Sequence, residues 1–296
     1  MPGRMISVAA AVVAVVLVAH HKGAAAFEPR ANNGGCVAAI AGDDFAILAA
    51  DAVLMDVDVA RTGRHDRIAT FGGTCAAAAV GCDADWAALR TYLELRLDEY
   101  RWSTKSTDDA SLPVHVVCRA CSDLLYARRG FPYYVSTVVA GLKATSASGR
   151  AVGVVSSFDA LGSPSDPTQR VVASGRLVQS VLDDYASRER GSVFGSVAAA
   201  LEAIAHAFGA AAARDDEAGT LVDVAVIRSS SRGVVPTGED PSSPPPPRET
   251  AEERRRTGPH IERLVLDVSA RRDADVSLAT GLADDDNRRP TPSTTG

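Results

Sequence analysis

Residues 32–51 read NNGGCVAAIAGDDFAILAAD. Two apolar runs flank a Gly-Asp-Asp turn signal in this stretch, and the second run ends on the carboxylate of Asp51. Apolar runs of this length around a turn signal predict a β-hairpin whose strands are buried on both faces. We therefore expect strands over 36–42 and 45–51, in the interior of a fold that covers both sides of the sheet.

Beyond this hairpin, strands and helices are predicted in alternating blocks. The expected strands cover 67–71, 75–81, 134–141, 151–158, 221–227 and 261–268, and the expected helices cover 83–102, 113–129, 175–187 and 193–213. Apolar residues recur every three or four positions in the first helix, which is typical of one buried helix face. The order predicts an α+β fold in which two antiparallel sheets pack face to face, with helix pairs on both outer surfaces.

Bulk composition excludes several classes of protein. A net charge of −6 gives no reason to expect nucleic acid as a partner, and 46% hydrophobic residues is ordinary for a globular chain. Five cysteines, an odd number, do not suggest a disulfide framework, so we expect reduced thiols. His115, Cys118 and Cys121 lie three apart, but without a second ligand pair they favour an amphipathic helix over a metal site. We expect neither a metal nor a cofactor.

The chain has unusual segments near both ends. Residues 6–19 are apolar except Ser7, with Arg4 before them and three alanines at 24–26. This pattern is typical of a secretory signal, with a divergent leader over 1–30 as the alternative interpretation, and it is too short to span a bilayer comfortably. Residues 236–260 are rich in proline and charge and predict a flexible insertion, followed by a final strand within 261–270 and a disordered tail over 271–296.

Two motifs resemble a known family. The hairpin of residues 32–51 resembles the opening of a proteasome beta subunit, and residues 128–135, RRGFPYYV, resemble the signature of its beta type-1 (sixth beta) members. The resemblance covers about 27–228 plus the last strand, so the beta-type domain is expected over 31–235. It implies the four-layer αββα sandwich of the N-terminal nucleophile hydrolases.

The resemblance also implies partners and a location. Members assemble with other alpha and beta subunits in stacked seven-membered rings, without nucleic acid and, in the mature form, without a membrane. We therefore expect a cytoplasmic and nuclear protein, with the secretory pathway as the alternative if residues 1–26 act as a signal peptide.

Active members of this family need a nucleophile freed at the chain start, an Asp sixteen residues later and a Lys sixteen residues beyond that. Asp51 matches the Asp by its Ala-Ala-Asp context. Sixteen residues before it lies Gly35, which has no nucleophile, and sixteen after it lies Arg67 in place of the Lys. Arginine stays protonated and has a forked head, so it is a poor substitute for a lysine that shares protons with a nucleophile. Asp51 and Arg67 are instead predicted to form a structural ion pair, buried at the ends of adjacent strands.

The family also uses a second Asp and a Ser to hold the free amine. Residues 214–219, RDDEAG, match the pattern Arg-Asp, two variable residues, Ser, Gly, so that Asp215 is present and Ala218 replaces the Ser. Because the nucleophile, the Lys and the Ser are all missing, we expect a non-catalytic structural subunit that contributes to ubiquitin-dependent protein breakdown.

Two alternatives stay open. Gly35-Cys36 is a plausible self-cleavage site, and Cys36 would make the chain a cysteine-dependent N-terminal nucleophile hydrolase. Asp51 and Arg67 would then come one residue early, and a one-residue slip turns a side chain to the opposite face of a sheet. A small buried thiol is the other interpretation of Cys36. The second alternative is a divergent paralogue that acts in assembly only.

Overall fold

The computed structural model describes residues 31–56, 59–104, 112–144, 151–175, 178–188, 192–215, 218–228 and 260–269. The strands are β1 (Val37–Ala41), β2 (Phe45–Asp51), β3 (Leu54–Asp56), β4 (Val59–Thr62), β5 (Ala69–Phe71), β6 (Cys75–Gly81), β7 (Val135–Ala144), β8 (Ala151–Phe158), β9 (Val171–Ser174), β10 (Leu221–Arg228) and β11 (His260–Asp267). The helices are α1 (Asp83–Thr104), α2 (Val114–Ala127), α3 (Val178–Arg188), α4 (Ser192–Gly195) and α5 (Val197–Arg214). The predicted leader over 1–30, the insertion up to residue 259 and the tail over 271–296 lie outside the described residues.

The predicted hairpin forms the middle of a five-stranded sheet with the order β11-β10-β2-β1-β9. All of these strands pair antiparallel, and Val37 of β1 lies opposite Ala50 of β2. Every residue of β1 and β2 is buried. The prediction of a hairpin buried on both faces is therefore confirmed.

A second sheet contains four antiparallel strands in the order β5-β6-β7-β8. Strands β3 and β4 pair with each other as a separate ribbon. The sequence did not predict β3, β4 or β9, because three or four residues are too few to show a periodic apolar pattern.

Three groups of apolar side chains hold these elements together. Along β1, Ala38 and Ile40 pack with residues of α3 and α5, while Val37 and Ala39 pack with residues of β6 and β7 in the other sheet. This split follows from the alternation of side chains along a strand. The third group joins the four-stranded sheet to α1 and α2. The chain thus has the predicted α+β class with antiparallel sheets.

The prediction of the fourth helix is wrong in one detail. It was expected as one helix over 193–213, but it divides into α4 and α5 at Ser196, whose backbone is extended. Gly195 and Ser196 are poor residues for a helix interior, which explains the break. Among the described helices, α5 is long and apolar enough to cross a membrane by length and composition, and half of it is buried inside the fold.

Candidate functional site

The candidate site lies where β1 begins and β2 ends. Asp51 N donates a hydrogen bond to the Cys36 carbonyl at 3.0 Å. In the other direction, Cys36 N donates to the Asp51 side chain, at 3.0 Å from Oδ1. The second carboxylate oxygen, Oδ2, accepts a bond from Gly219 N at 3.2 Å. One carboxylate therefore fixes both the first strand and the turn that follows α5.

Arg67 is the cation that faces this carboxylate. Its Nε lies 3.3 Å from Asp51 Oδ1, and the side chains are 2% and 0% exposed, respectively. Nε also donates to the Asp51 carbonyl at 3.2 Å, and Nη2 donates to the carbonyls of Asn33 and Val53. The predicted buried ion pair is confirmed, and the guanidinium is further satisfied by backbone oxygens.

The predicted position of this pair needs a correction. Asp51 and Arg67 were expected at the ends of adjacent strands. Asp51 ends β2 of the five-stranded sheet, whereas Arg67 lies just before β5 of the four-stranded sheet. The β3–β4 ribbon, which the sequence did not predict, lies between them along the chain. The ion pair consequently connects the two sheets.

Burial and charge act in opposite directions on Asp51. Burial raises the pKa of this carboxyl, while the Arg67 charge and the N–H groups of Cys36 and Gly219 lower it. A buried charge is tolerated where it is paired and hydrogen-bonded, as both partners are here.

Gly35 is the residue that the sequence analysis predicted at the nucleophile position. Its φ is +99°, and a Cβ atom at this position would lie 2.6 Å from Cζ of Arg67. The guanidinium thus occupies the space that a side chain would need, and the backbone conformation favours glycine. Both features suit a residue without a side chain.

Asn33 anchors the segment before β1, and the sequence analysis missed it. Its backbone N donates to the Gly81 carbonyl at 2.8 Å, and its carbonyl accepts from Met55 N at 3.1 Å. Its side chain donates to the Met55 carbonyl at 2.8 Å and accepts from Asp83 N at 2.9 Å. The segment is thereby attached to β3, to the end of β6 and to the start of α1. No local sequence signal could have found this role, because every partner is distant along the chain.

A cavity of about 360 Å³ brings the remaining predicted site residues together. Gly35, Cys36, Asp215 and Ala218 all line it, and Cys36 is 3% exposed. Asp51 and Arg67 are not among its lining residues. The cavity therefore borders Cys36, while neither member of the ion pair lines it.

The three residues considered as metal ligands do not share one environment. His115 is exposed and Cys121 is buried on α2. Burial raises the pKa of Cys118 to about 12, so this thiol stays protonated at neutral pH. Within the described ranges, no group of three or more His, Cys, Asp or Glu residues is placed to hold a metal ion.

Comparisons with known proteins agree with the motifs. The family model for proteasome subunits matches residues 31–227. Proteasome subunit beta type-1 of Drosophila melanogaster is 33% identical over 159 residues, which cover 53% of this chain and 64% of the relative. Proteasome subunit beta type-6 of Saccharomyces cerevisiae is 35% identical over 138 residues, covering 46% and 54%. Proteasome subunit beta type-1 of Petunia hybrida is 28% identical over 213 residues, covering 69% and 92%.

The chain therefore belongs to the proteasome subunit family. Within that family, the relatives support a beta subunit of type 1, as the motif at residues 128–135 predicted. The chain spans just under two thirds of the length of the Drosophila relative and about half of the yeast one.

Proposed function

We propose that the chain is a non-catalytic structural beta subunit of the proteasome core particle and contributes in that way to ubiquitin-dependent protein breakdown. Membership of the family supports the place in the particle. The single observation that carries the absence of catalysis is the packing of the Arg67 guanidinium into the side-chain space of Gly35. A side chain at this position would meet the Arg67 guanidinium, the cation that pairs with Asp51.

We also propose that the layers form the four-layer αββα sandwich of the N-terminal nucleophile hydrolases. Helices α3 and α5 pack on one side of the β1–β2 hairpin, and the four-stranded sheet packs on its other side. Helices α1 and α2 cover the outer face of the four-stranded sheet. This arrangement of apolar contacts supports the proposal.

Three chemical functions of an active member would be missing. Gly35 cannot attack a carbonyl. Arg67 is held by Asp51 and by the carbonyls of Asn33 and Val53, so it is not available as a proton-sharing lysine. Ala218 lacks the hydroxyl that would hold a free amine. Residues that act as one catalytic unit fail together, so restoring one of them should not restore activity.

A second candidate is the Cys36-dependent hydrolase. It is favoured by the cavity beside Cys36 and by the 3.0 Å bond from Cys36 N to Asp51 Oδ1, since cleavage after Gly35 would turn that nitrogen into a free amine. It is opposed by Asn33, because cleavage would separate this anchor from the strand that it holds in place. The non-catalytic proposal therefore has the stronger support.

The partners follow from the same proposal. We expect other alpha and beta proteasome subunits in stacked seven-membered rings, in the cytoplasm and nucleus, with no nucleic acid and no membrane in the mature form. The alternative location is the secretory pathway, which would apply if residues 1–26 act as a signal peptide.

The proposal can be tested on the native complex. The full chain, tagged and purified without denaturation, should be recovered with alpha and beta subunits in a particle of several hundred kilodaltons. An electrophilic active-site probe should then label other subunits, while mass spectrometry finds Cys36 of this chain internal and unlabelled. The matched Cys36→Ala variant should give the same pattern of labelled subunits.

Each other outcome selects an alternative. Labelling at an N-terminal Cys36, abolished in the Cys36→Ala variant, would establish the hydrolase. Recovery with partial assemblies and never with the complete particle would favour the paralogue that acts in assembly only. Recovery as a monomer or homo-oligomer would remove the proposal.

A further inference from the structure

Arg67 is the middle residue of the short segment 66–68, which hydrogen bonds from other elements hold in place. Asp66 Oδ1 accepts a hydrogen bond from Ile68 N at 3.1 Å, which spans Arg67. The Arg67 carbonyl accepts a bond from Nε1 of Trp86 on α1 at 3.0 Å. Because the side chain of Arg67 points inward and is buried, the position of its guanidinium depends on how this turn is held.

Arg263 of β11 binds both neighbours of Arg67. Its Nη1 donates to the two carboxylate oxygens of Asp66 at 3.1 and 3.0 Å, and its Nη2 donates to the Ile68 carbonyl at 2.6 Å. An arginine that binds three acceptors with two nitrogens fixes geometry as well as charge. Since β11 is an edge strand of the five-stranded sheet and Ile68 directly precedes β5, Arg263 joins the two sheets at this turn.

A second carboxylate, Asp223 of β10, lies two residues before Ala225, the residue that pairs with Arg263. Burial and the nearby Asp66 raise the pKa of Asp223 on β10, while Arg263 and Arg64 lower it. Arg263 therefore lies close enough to offset two carboxylates that repel each other. Its loss would weaken the turn and remove one of the two cations, Arg263 and Arg64, that lower the pKa of Asp223.

We propose that Arg263 is a positioning residue for the candidate site. By holding Asp66 and Ile68, it sets the position of the Arg67 guanidinium and so keeps Cys36, which is 3% exposed, protected from reagents. Strand β11 then stabilises the candidate site through Arg263, in addition to extending the five-stranded sheet. This inference goes beyond the proposed function and holds whether or not the chain enters a proteasome particle.

The test is the labelling rate of Cys36 in the full chain. In Arg263→Ala, we expect iodoacetamide to modify Cys36 about five to ten times faster than in the wild type, because local opening exposes the thiol. Peptide mass spectrometry would follow Cys121 in the same sample as an internal reference, and its rate should not change. A general loss of stability would instead raise both rates together.

Two further variants complete the experiment. Arg188→Ala removes another arginine that pairs with an aspartate at the surface, Asp184, and should leave the Cys36 rate unchanged. Arg263→Lys keeps the charge but not the forked geometry, so the Cys36 rate should rise about two- to threefold.

Several results would overturn the inference. They are an unchanged Cys36 rate in Arg263→Ala, an equal rise at Cys121, or the same effect in Arg188→Ala. If Arg263→Ala does not fold, Arg263→Lys carries the test, and an unchanged Cys36 rate in that variant overturns the inference equally.

Discussion

The two ends of the β1–β2 hairpin are attached to the four-stranded sheet by different forces. At the turn, Gly153 N of β8 donates to the Gly42 carbonyl at 3.1 Å, and a Cβ on Gly153 would lie 2.0 Å from the Phe45 carbonyl oxygen. At the other end, the buried side chains of Asp51 and Arg67 make the connection. One end is joined by the close approach of backbones, and the other by charge.

This difference shows how the two ends should respond to change. Backbone contact tolerates no added atom, but it does not depend on ionisation. A buried ion pair tolerates small shifts in shape, but removing one partner leaves an uncompensated charge in the interior. Substitutions at the charged end should therefore cause the larger losses of unfolding free energy, and the pH dependence of stability should also arise at that end.

The largest effect is expected for Arg67→Ala. It leaves Asp51 buried without its cation, and breaking a buried pair in this way costs about 3–5 kcal/mol of unfolding free energy. Urea denaturation would measure the loss. The double variant Asp51→Asn with Arg67→Met removes both charges and should recover much of it. A loss under about 1 kcal/mol in Arg67→Ala, the size typical of an exposed pair, would contradict the buried pair.

The turn end is tested by Gly153→Ala. The new methyl group would meet backbone atoms of Phe45 and Gly42, which cannot rotate away, so we expect a loss of about 1–3 kcal/mol. Gly130→Ala is the matched control, because a Cβ there would have no atom within 4 Å, and its effect should stay within about 0.5 kcal/mol. Equal melting curves for the two variants would mean that β8 does not approach the hairpin this closely.

The sequence predicted local features well and distant contacts poorly. The buried hairpin over residues 32–51 was evident because its apolar runs and turn signal are contiguous. The pairing of Asp51 with Arg67 followed from a spacing that the family resemblance supplied. The position of this ion pair between two sheets could not be predicted, because the strands of the intervening β3–β4 ribbon are too short to show a periodic apolar pattern. Whether Gly35, Arg67, Asp215 and Ala218 make the site inactive stays a prediction.

Asn33 and Arg263 illustrate contacts that sequence reasoning could not reach. Asn33 binds residues 22 and 50 positions away, and Arg263 binds Asp66 across 197 positions. A polar residue before a strand and an arginine on an edge strand are both ordinary in sequence. Their roles become evident only once the fold brings their partners together.

The anchoring role of Asn33 gives a smaller expected effect. Asn33→Ala removes the side-chain bonds to Met55 O and Asp83 N, and leaving such half-buried groups unpaired costs about 1–2 kcal/mol. The adjacent Asn32→Ala is the control, because Asn32 is exposed and its side chain bonds to nearby Gly34 N. Thermal melts should separate the two variants clearly, and similar midpoints would show that Asn33 is not an anchor.

The smallest effect concerns Asp223, beside the charged end of the hairpin. Burial, reinforced by Asp66, raises the pKa of Asp223 above its ordinary value of 3.8 in the folded chain. The folded state then binds the proton more tightly than the unfolded state, so stability falls as pH rises from 3.8 through the raised pKa. At pH 7, the ionised carboxylate destabilises the fold, and Asp223→Asn should be more stable by ~0.5 kcal/mol after allowance for solvent screening.

This gain should disappear as the pH is lowered below 3.8, where Asp223 is protonated in both states. Urea denaturation over a series of pH values would follow the difference between variant and wild type. Asp267→Asn on β11 is a control of opposite sign, since the bonds from Ser269 lower the pKa of Asp267. That variant should be the less stable one at neutral pH and should match the wild type only when the pH falls below the lowered pKa. A gain in Asp223→Asn that persists unchanged at low pH would come from the amide itself, and Asp223 would then not belong to the charge network around Arg263.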